Sequence, residues 1–285
     1  MSGLVWFITG ASNGFGLILS LHALKAGHRV IGAMRNKNRA SDAVNAIESA
    51  GGHVIEMDMT EAQDSIVKKI QDVNQTHGPI DVLVNNAGYA MMGPISQFTE
   101  QEIQTQIQTN FYGPFYAIQA VLPAMRSRGS GTVVNISSVA GQDVSPTGGL
   151  YSASKFALEG LSEGLAKEEA ASGISVLIVE PGAFRTNFLS AFVSVEKGVG
   201  EGAEGTLGAS MDRWSTMSGK PPGDPRKGAE AIFQVVTGEG DAGRLKGEVL
   251  RLPLGKDAVA RIEAKAERVK LDVAAARDVA CSTDF

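Results

Sequence analysis

Short apolar runs alternate with longer stretches of helical periodicity along most of this chain. The runs are rich in valine and isoleucine and mostly continuous, a pattern typical of strands that helices cover on both faces. Alternating strands and helices indicate a parallel, doubly wound sheet with right-handed crossovers. We therefore predict an α/β fold with a sheet of about seven strands, in a single domain over residues 1–285. The predicted strands are Leu4–Thr9, Val30–Ala33, Val54–Met57, Val82–Val84, Thr132–Asn135, Val176–Val179 and Glu248–Leu252, and the predicted helices include Phe15–Ala26, Glu100–Ser127, Tyr151–Ala171 and Pro225–Thr237.

Two segments depart from this alternation. Residues 190–228 are rich in glycine, a composition unsuited to a packed core, and we predict a substrate lid over about residues 187–228. A passive surface insertion is the alternative. Asp257–Ala280 is rich in alanine and charged residues and predicts an amphipathic helix, within an extension of about residues 256–285, that packs on the body or on a partner. The predicted apolar contacts of the lid are Phe192, Met211, Trp214 and Met217.

The bulk composition narrows the class of protein further. The formal net charge is −5, so a broad phosphate-binding face is not expected, and we predict no nucleic-acid partner. No stretch reaches the roughly 20 apolar residues that a membrane-spanning helix needs, and the first apolar run is too short for a secretion signal. The single cysteine, Cys281, cannot form an intrachain disulfide, which favours a reducing compartment. We therefore expect a cytoplasmic protein with no membrane span.

A glycine-rich turn follows the first predicted strand and opens the first predicted helix. It runs Thr9-Gly10-Ala11-Ser12-Asn13-Gly14-Phe15-Gly16, with the spacing G-x-x-x-G-x-G. Glycines there let the backbone approach a pyrophosphate closely, and the helix N-terminus offers unpaired N–H groups and a positive dipole end to the anion. A tight turn without a ligand would use the same residues. The position of the turn after an N-terminal strand favours a dinucleotide site.

The end of the second strand decides which dinucleotide fits. An acidic residue there would bind the free adenosine ribose hydroxyls and repel a 2′-phosphate. The strand instead ends at Ala33-Met34-Arg35, and a guanidinium suits a phosphate through paired hydrogen bonds. We predict NADP(H) rather than NAD(H), the alternative being a solvated basic turn. Further polar or positive groups nearby are Asn13, Asn36, Lys37 and Arg39.

The segment Tyr151-Ser152-Ala153-Ser154-Lys155 carries the main chemical signal. Residues four apart share a helix face, so the phenol and the ammonium point the same way. A free tyrosine has a pKa of about 10, and a nearby ammonium favours the phenolate. Ser138 lies thirteen residues upstream of Tyr151, at the end of a predicted strand, where ligands of open α/β sheets bind. A phenol and a serine hydroxyl together could supply a proton and stabilise an alkoxide after hydride transfer to a ketone.

Further motifs lie at the same predicted sheet edge. Asn85-Asn86-Ala87-Gly88 follows the fourth strand, Asn110 lies in the long helical segment after it, and Pro181-Gly182 follows the sixth strand, with Thr186 close behind. Taken with the glycine-rich turn and the Tyr151 segment, these motifs resemble the short-chain dehydrogenase/reductase family, in its small single-domain branch. The resemblance covers about Leu4 to Leu252 and implies a Rossmann-type fold.

The resemblance implies a role for each matching residue. Tyr151 is implied to be the general acid in reduction and the general base in oxidation. Lys155 is implied to lower the Tyr151 pKa and to bind the nicotinamide ribose. Ser138, rather than Ser137, is implied to stabilise charge on the substrate oxygen, and Asn110 to hold a water of the proton relay. The motifs and the resemblance together predict these cofactor-binding residues: Gly10, Ser12, Asn13, Gly14, Phe15, Gly16, Arg35, Asn36, Asp58, Met59, Asn86, Gly88, Tyr151, Lys155, Pro181, Gly182, Phe184 and Thr186.

The leading hypothesis is an NADP(H)-dependent oxidoreductase that transfers hydride between the nicotinamide and a carbonyl or secondary alcohol. The segment Leu252-Pro253-Leu254-Gly255 resembles family members that act on steroid-, retinol- or polyketide-like substrates, which favours a bulky apolar substrate and a ketoreductase. There are two alternatives. One is a lyase, isomerase or cyclase on the same scaffold, and the other is an NADP-sensing protein without turnover. The predicted pocket residues are Tyr89, Met91, Met92, Gln142, Val144 and Phe184.

Two expectations concern metals and partners. The four histidines have no convincing ligand spacing with cysteine or carboxylates, so no metal site is predicted. The resemblance implies a homo-oligomer, a dimer or a tetramer, formed through the helical segments Glu100–Ser127 and Tyr151–Ala171. Ordinary packing of these segments on the sheet is the alternative for their apolar residues.

Overall fold

The computed structural model of the protein describes residues 3–188, 193–194 and 221–284. Strands and helices alternate along the described chain, as the apolar pattern predicts. The strands are β1 (Val5–Thr9), β2 (Arg29–Met34), β3 (His53–Glu56), β4 (Val82–Asn85), β5 (Met91–Met92), β6 (Gly131–Ile136), β7 (Ile174–Pro181), β8 (Val193–Ser194) and β9 (Arg251–Leu254). The helices are α1 (Gly14–Lys25), α2 (Ser41–Ser49), α3 (Gln63–His77), α4 (Glu100–Ile107), α5 (Gly113–Arg128), α6 (Gly149–Glu168), α7 (Pro225–Thr237) and α8 (Lys256–Cys281).

Seven of the described strands form one parallel sheet in the order β3-β2-β1-β4-β6-β7-β9. The predicted doubly wound sheet is therefore confirmed. In the register, Phe7 of β1 lies beside Ile31 of β2 on one side and Leu83 of β4 on the other. The connection after β1 leads to β2 on one side of β1, whereas the connection after β4 leads toward β6 on the other side. Because these two connections diverge, they leave a crevice at the carboxyl ends of β1 and β4.

The sheet is buried on both faces. All five residues of β1 are buried, and their side chains alternate between two core layers. Trp6 joins the layer that contains α1 and α7, where its ring stacks on Phe233 at 5.7 Å between centroids. Phe7 joins the opposite layer, with Ile70 of α3 and Met125 of α5. Full burial of such side chains contributes about 1.5–3 kcal/mol each, which accounts for the continuous apolar runs.

The predicted helix Glu100–Ser127 is interrupted in the structure. Helix α4 ends at Ile107, a π-helical turn spans Gln108–Tyr112, and α5 begins at Gly113, whose N–H donates to the carbonyl of Gln108, five residues back. Pro114 has no N–H to donate to the carbonyl of Asn110, which favours the wider turn.

Two segments lie outside the strand–helix alternation: the predicted lid and the predicted C-terminal helix. Most of the predicted lid, including its four predicted apolar contacts, lies outside the described residues, and its last residues, from Pro225, belong to α7. The predicted C-terminal helix is present as α8, but only its first two turns pack on the body. Every residue from Glu263 to Cys281 is exposed, so most of the helix does not pack on the body, and packing on a partner stays a prediction. Within the described ranges, no helix is long and apolar enough to cross a membrane.

An ion cluster fixes the last strand to the rest of the sheet. Arg251 on β9 forms ion pairs with Glu159 and Glu163 on α6 and with Glu180 on β7. The side chains of Glu159 and Glu180 are almost completely buried. Because three carboxylates share one guanidinium, their combined negative charge exceeds the one positive charge that Arg251 supplies, and this excess is costly. Burial, followed by the charge of Glu159, raises the pKa of Glu180 to about 7.

This pKa shift predicts a pH-dependent stability. The ordinary pKa of Glu180 is 4.5 and its folded-state pKa is about 7, so the folded protein holds a proton that the unfolded chain releases between these values. The Glu180 contribution to the free energy of unfolding is therefore complete below pH 4.5 and is lost as the pH rises to about 7. We expect Glu180→Gln to remove this part of the slope, measured by urea denaturation across that range. Glu230→Gln, on the exposed face of α7, is the control and should keep it; equal slopes in wild type and Glu180→Gln would contradict the assignment.

Candidate active site

A large cavity opens at the carboxyl ends of β1, β4, β6 and β7. Its volume is about 1440 Å³, above the roughly 300–1,000 Å³ that is usual for one small ligand. Most of the residues that the sequence singled out line it. Gly16, Asn36 and Asn110 do not. The predicted site residues in the lining are Gly10, Ser12, Asn13, Gly14, Phe15, Arg35, Asp58, Met59, Asn86, Gly88, Ser138, Tyr151, Lys155, Pro181, Gly182, Phe184 and Thr186.

The glycine-rich turn forms one wall of the cavity, at the start of α1. Gly10 and Gly14 have φ angles of +66° and +54°, a left-handed conformation that favours glycine. Asn86 holds the turn in place, because its Nδ2 donates to the carbonyls of Thr9 at 2.9 Å and Gly10 at 3.0 Å. Gly16 lies behind the turn, where a Cβ atom would come within 2.5 Å of the Gly10 oxygen. Gly16 therefore shapes the turn without facing the cavity.

The ends of β2 and β3 form the adjoining part of the wall. Arg35 follows β2 directly, and its exposed side chain lies at the cavity. Asn36 instead turns back into its own loop, where its Oδ1 accepts a hydrogen bond from the Arg39 N–H at 2.8 Å. Asp58 lines the cavity after β3, and its Oδ1 accepts from the N–H and the hydroxyl of Thr60, both at 2.9 Å.

Tyr151, Lys155 and Ser138 come together on the opposite wall. Tyr151 and Lys155 lie one turn apart on α6, with the Lys155 Nζ 5.9 Å from the centroid of the phenol ring. Lys155 also donates to the carbonyl of Ile136, at the end of β6, at 2.7 Å. Ser138 follows β6, and its hydroxyl hydrogen-bonds the Tyr151 side chain. The neighbouring Ser137 points away and donates to the buried Glu159 at 2.5 Å.

Burial is the largest influence on the pKa values of Tyr151 and Lys155. Tyr151 and Lys155 are 8% and 4% exposed. Desolvation raises the pKa of Tyr151 to about 12 despite the opposing hydrogen bond from Ser138. Desolvation likewise lowers the pKa of Lys155 to about 8. The expected lowering of the Tyr151 pKa is therefore not found in this structure: withdrawal from water outweighs the hydrogen bond from Ser138, the charge of Glu159 also raises the pKa, and the phenol is neutral at neutral pH.

Asn110 lies behind the cavity wall, fully buried in the π-helical turn. Its Nδ2 donates to the carbonyl of Tyr89 and to the hydroxyl of Ser154, both at 3.0 Å, and its Oδ1 accepts from the Tyr89 N–H at 3.2 Å. A Cβ atom on Gly88 would lie 3.1 Å from the Asn110 Oδ1 and 3.5 Å from the Lys155 Nζ. Gly88 thus lets these two polar groups approach the chain closely.

The segment after β7 faces the glycine-rich turn across the cavity. Gly182 donates its N–H to the carbonyl of Leu254 at 2.8 Å, which extends the β7–β9 pairing. Phe184 contacts Phe15 edge to face, with 5.0 Å between ring centroids. Thr186 lies beside the turn, where a Cβ atom on Gly14 would meet its side chain at 3.5 Å. These contacts bring the Pro181–Thr186 segment to the start of α1.

Helix α8 also contributes to the cavity, which the sequence pattern does not indicate. Asp257 and Arg261, in its first two turns, both line the wall. Asp257 Oδ2 accepts a hydrogen bond from the Ala183 N–H at 2.8 Å, and Arg261 Nε pairs with Asp143 Oδ2 at 2.8 Å. The only available signal was their spacing of four on a predicted helix, which is common. The contacts connect positions 74 and 118 residues apart and depend on the tertiary fold.

The end of the cavity next to Tyr151 is largely apolar. Of the predicted pocket residues, Tyr89, Met91, Met92 and Phe184 line the cavity. Gln142 and Val144 do not: the Gln142 amide donates to Glu159, and the Val144 side chain is 50% exposed. Additional apolar lining comes from Phe188, whose ring centroid is 5.8 Å from that of Tyr151, and from Ala90, Val139, Ala140 and Val193.

Comparison with known proteins gives consistent matches. Residues 4–196 match the short chain dehydrogenase family. Oxidoreductase claN of Passalora fulva is 47% identical over 189 residues, which are 65% of this chain and 84% of that protein. The crystal structure of a short-chain dehydrogenase from Streptomyces avermitilis is 38% identical, covers 99% of both chains and superposes with a TM-score of 0.86.

Two further solved structures hold a dinucleotide. A metagenomic short-chain oxidoreductase in complex with NADP is 33% identical, with a TM-score of 0.61 over 65% of this chain and 85% of that chain. A short chain dehydrogenase/reductase from Burkholderia phymatum in complex with NAD is 20% identical, with a TM-score of 0.80 over 95% of both chains, and shares the fold. The family match covers more than half of the chain and agrees with the fold, so this protein belongs to the short chain dehydrogenase family and is an oxidoreductase of that family.

Proposed function

We propose that the protein is an NADP(H)-dependent ketoreductase that transfers hydride between the nicotinamide and a carbonyl or secondary alcohol. One observation carries the proposal: a neutral, buried phenol lies beside a serine hydroxyl and an ammonium, in a cavity bounded by a glycine-rich turn. Hydride addition to a ketone leaves negative charge on its oxygen. A group that donates a proton and a group that stabilises the charge are then both required.

The residues present fit a bound dinucleotide. Gly10 and Gly14 line the cavity without side chains of their own, and the start of α1 presents N–H groups to an anion. Bound NADPH would supply the hydride. Lys155 would bind the nicotinamide ribose, and the Pro181–Thr186 segment would orient the carboxamide. Arg35 would pair with the 2′-phosphate, because β2 ends without an acidic residue and this guanidinium is exposed at the cavity.

The side chains of the chain itself handle the proton. In the proposed reduction, Ser138 donates a hydrogen bond to the substrate oxygen while hydride reaches the carbonyl carbon. Tyr151 then releases its proton to the same oxygen, and its raised pKa ensures that the phenol carries that proton at neutral pH. The proton returns to Tyr151 from solvent, through the Lys155 ammonium and water held near Asn110. Oxidation of an alcohol is the same sequence in reverse.

The apolar end of the cavity supports a bulky apolar substrate, of steroid, retinol or polyketide type. Met91 and Met92 are flexible and polarizable side chains that adapt to irregular ligand shapes. Phe188 and Val193 belong to the segment proposed as a substrate lid, over about residues 187–228, and both line the cavity. The proposed lid would close over the substrate and exclude water.

Replacement of the phenol tests the chemistry. We expect Tyr151→Phe to bind NADPH with unchanged affinity, because only the hydroxyl is lost, and to lose about 10²–10⁴-fold in kcat. Binding is measured by titration of NADPH fluorescence, and turnover by NADPH oxidation over ketones graded in size from diketones to polycyclic ketones. Tyr112→Phe, on an exposed ring outside the cavity lining, is the matched control and should retain full activity. Near-normal kcat in Tyr151→Phe would remove this residue from the mechanism. Tight NADPH binding by wild type without turnover of any ketone would indicate a sensing protein instead.

Charge reversal at the end of β2 tests the cofactor. We expect Arg35→Asp to lower the NADPH/NADH ratio of kcat/KM by at least about tenfold, because a charge-assisted hydrogen bond worth roughly 1.5–3 kcal/mol is replaced by repulsion. Arg39→Asp makes the same charge change on a side chain outside the cavity lining and should have a smaller effect. An unchanged ratio in Arg35→Asp would show that this guanidinium does not select the cofactor.

A further inference from the structure

Helix α8 presents an apolar seam to solvent. Beyond its first two turns, every residue from Glu263 to Cys281 is exposed, with Val269 at 47% and Val273 at 55%. Seven of its apolar positions recur at alternating intervals of three and four, the spacing of the core of a two-stranded coiled coil, whereas the exposed Leu271 and Val279 lie outside this stripe. This seam, named here the α8 seam, consists of Val259, Ile262, Ala266, Val269, Val273, Ala276 and Ala280. An exposed seam of this period needs a second helix to cover it.

We propose that the α8 seam pairs with the same helix of a second copy, antiparallel, about a two-fold axis between residues 267 and 268. In this register Ala266 lies opposite the partner's Val269, and Ile262 lies opposite the partner's Val273. The symmetry makes each contact occur twice, as an interface between identical surfaces requires. The small alanines of the seam allow the two helices to approach closely.

The charges beside the seam select this arrangement. In an antiparallel pair, the flanking positions of one helix face the like positions of the other. Glu263 then faces the partner's Lys270, and Lys265 faces the partner's Asp272, which gives four opposite-charge pairs by symmetry. Lys256 and the partner's Arg277 form the one like-charge combination, at the ends of the helices. Self-complementarity of this kind points to a second copy of the chain rather than to an unrelated partner.

Other arrangements place like charges together. In a parallel pair, Lys265 would face the partner's Lys270 twice, which cancels the attraction between Asp272 and the partner's Arg277. An antiparallel shift of seven residues one way would set Asp272 against the partner's Asp272. A shift the other way would set Lys265 against the partner's Lys265. Only the proposed register combines an apolar seam with a surplus of opposite-charge pairs among these arrangements.

The flanking charges are available for such pairing. Asp272 has an ion pair with Arg268 of its own helix at 3.1 Å, and Lys270 has one with Glu267 at 3.4 Å. Both are exposed pairs within one helix and contribute little stability by themselves. The interface is separate from the helices that the family resemblance implies for oligomers, and it does not depend on the proposed hydride transfer. It would lie next to the cavity wall, because the first turns of α8 also carry Asp257 and Arg261.

Distances between labels on the full-length protein test the orientation. A Cys281→Ser background removes the single native cysteine, and spin labels are attached at Ala260, Glu267 or Ala274, all on the outer side of the helix. With a rise of about 1.5 Å per residue, the two labels of a dimer are separated along the axis by about 22, 2 and 20 Å respectively. We therefore expect the shortest distance at position 267 and longer ones at both other positions. Equal distances at the three positions would indicate a parallel pair, and the absence of a minimum at 267 would overturn the proposal.

Charge substitutions test the pairing energetically. We expect Asp272→Lys to raise the dimer dissociation constant at least tenfold, measured by sedimentation at low ionic strength, because it sets two positive charges opposite each other. Asp278→Lys makes the same charge change on the outer side of the helix and should alter the constant less than threefold. The double variant K265D/D272K restores opposite charges and should regain the wild-type constant. Equal effects of Asp272→Lys and Asp278→Lys, or no recovery in the double variant, would overturn the proposal. Circular dichroism verifies that each variant keeps its helix content.

Discussion

A buried polar seam between β6 and α6 positions the candidate active site. Asn135 Nδ2 donates to Ser162 Oγ at 2.7 Å, and its Oδ1 accepts from Asn85 Nδ2 at 2.8 Å, so the seam also joins β4. Further along α6, Glu159 accepts from Ser137 and Lys155 donates to the carbonyl of Ile136. Because unpaired polar groups are costly in a low-dielectric interior, these bonds are strongly directional constraints. They fix both the rotation of α6 and its distance from the end of β6, on which the approach of Tyr151 to Ser138 depends.

Burial also determines the pKa values of the ionisable groups in and around the candidate active site. Removal from water favours the neutral form of every ionisable group, so the pKa values of the phenol and of Glu180 are raised and that of Lys155 is lowered. Glu159 connects the ion cluster around Arg251 with the candidate catalytic residues. It pairs with Arg251, and its charge acts on both Tyr151 and Lys155. The last strand of the sheet and the candidate catalytic group therefore share one electrostatic environment.

The glycine-rich turn illustrates what a motif shows and what it leaves out. The spacing of Gly10, Gly14 and Gly16 indicates close backbone approach, and each glycine meets a different requirement in the structure. Gly10 and Gly14 adopt positive φ angles, whereas Gly16 avoids a collision with the Gly10 oxygen. Asn86 holds the turn from a position 76 residues away, through a bond that no local pattern could reveal. The sequence predicted its place at the same sheet edge, but not that its amide would be used within the protein.

Local periodicity and spacing determined the α/β class, the parallel sheet, the common helix face of Tyr151 and Lys155, and the family, because each depends on residues that are near one another in the chain. The tertiary structure decided the rest. The π-helical turn around Asn110, the entry of Asp257 and Arg261 into the cavity wall and the neutral state of the phenol all depend on packing between distant segments. The pKa of Tyr151 is the clearest case: the ammonium four residues away predicts a lowered value, but desolvation depends on everything that surrounds the ring and reverses its sign.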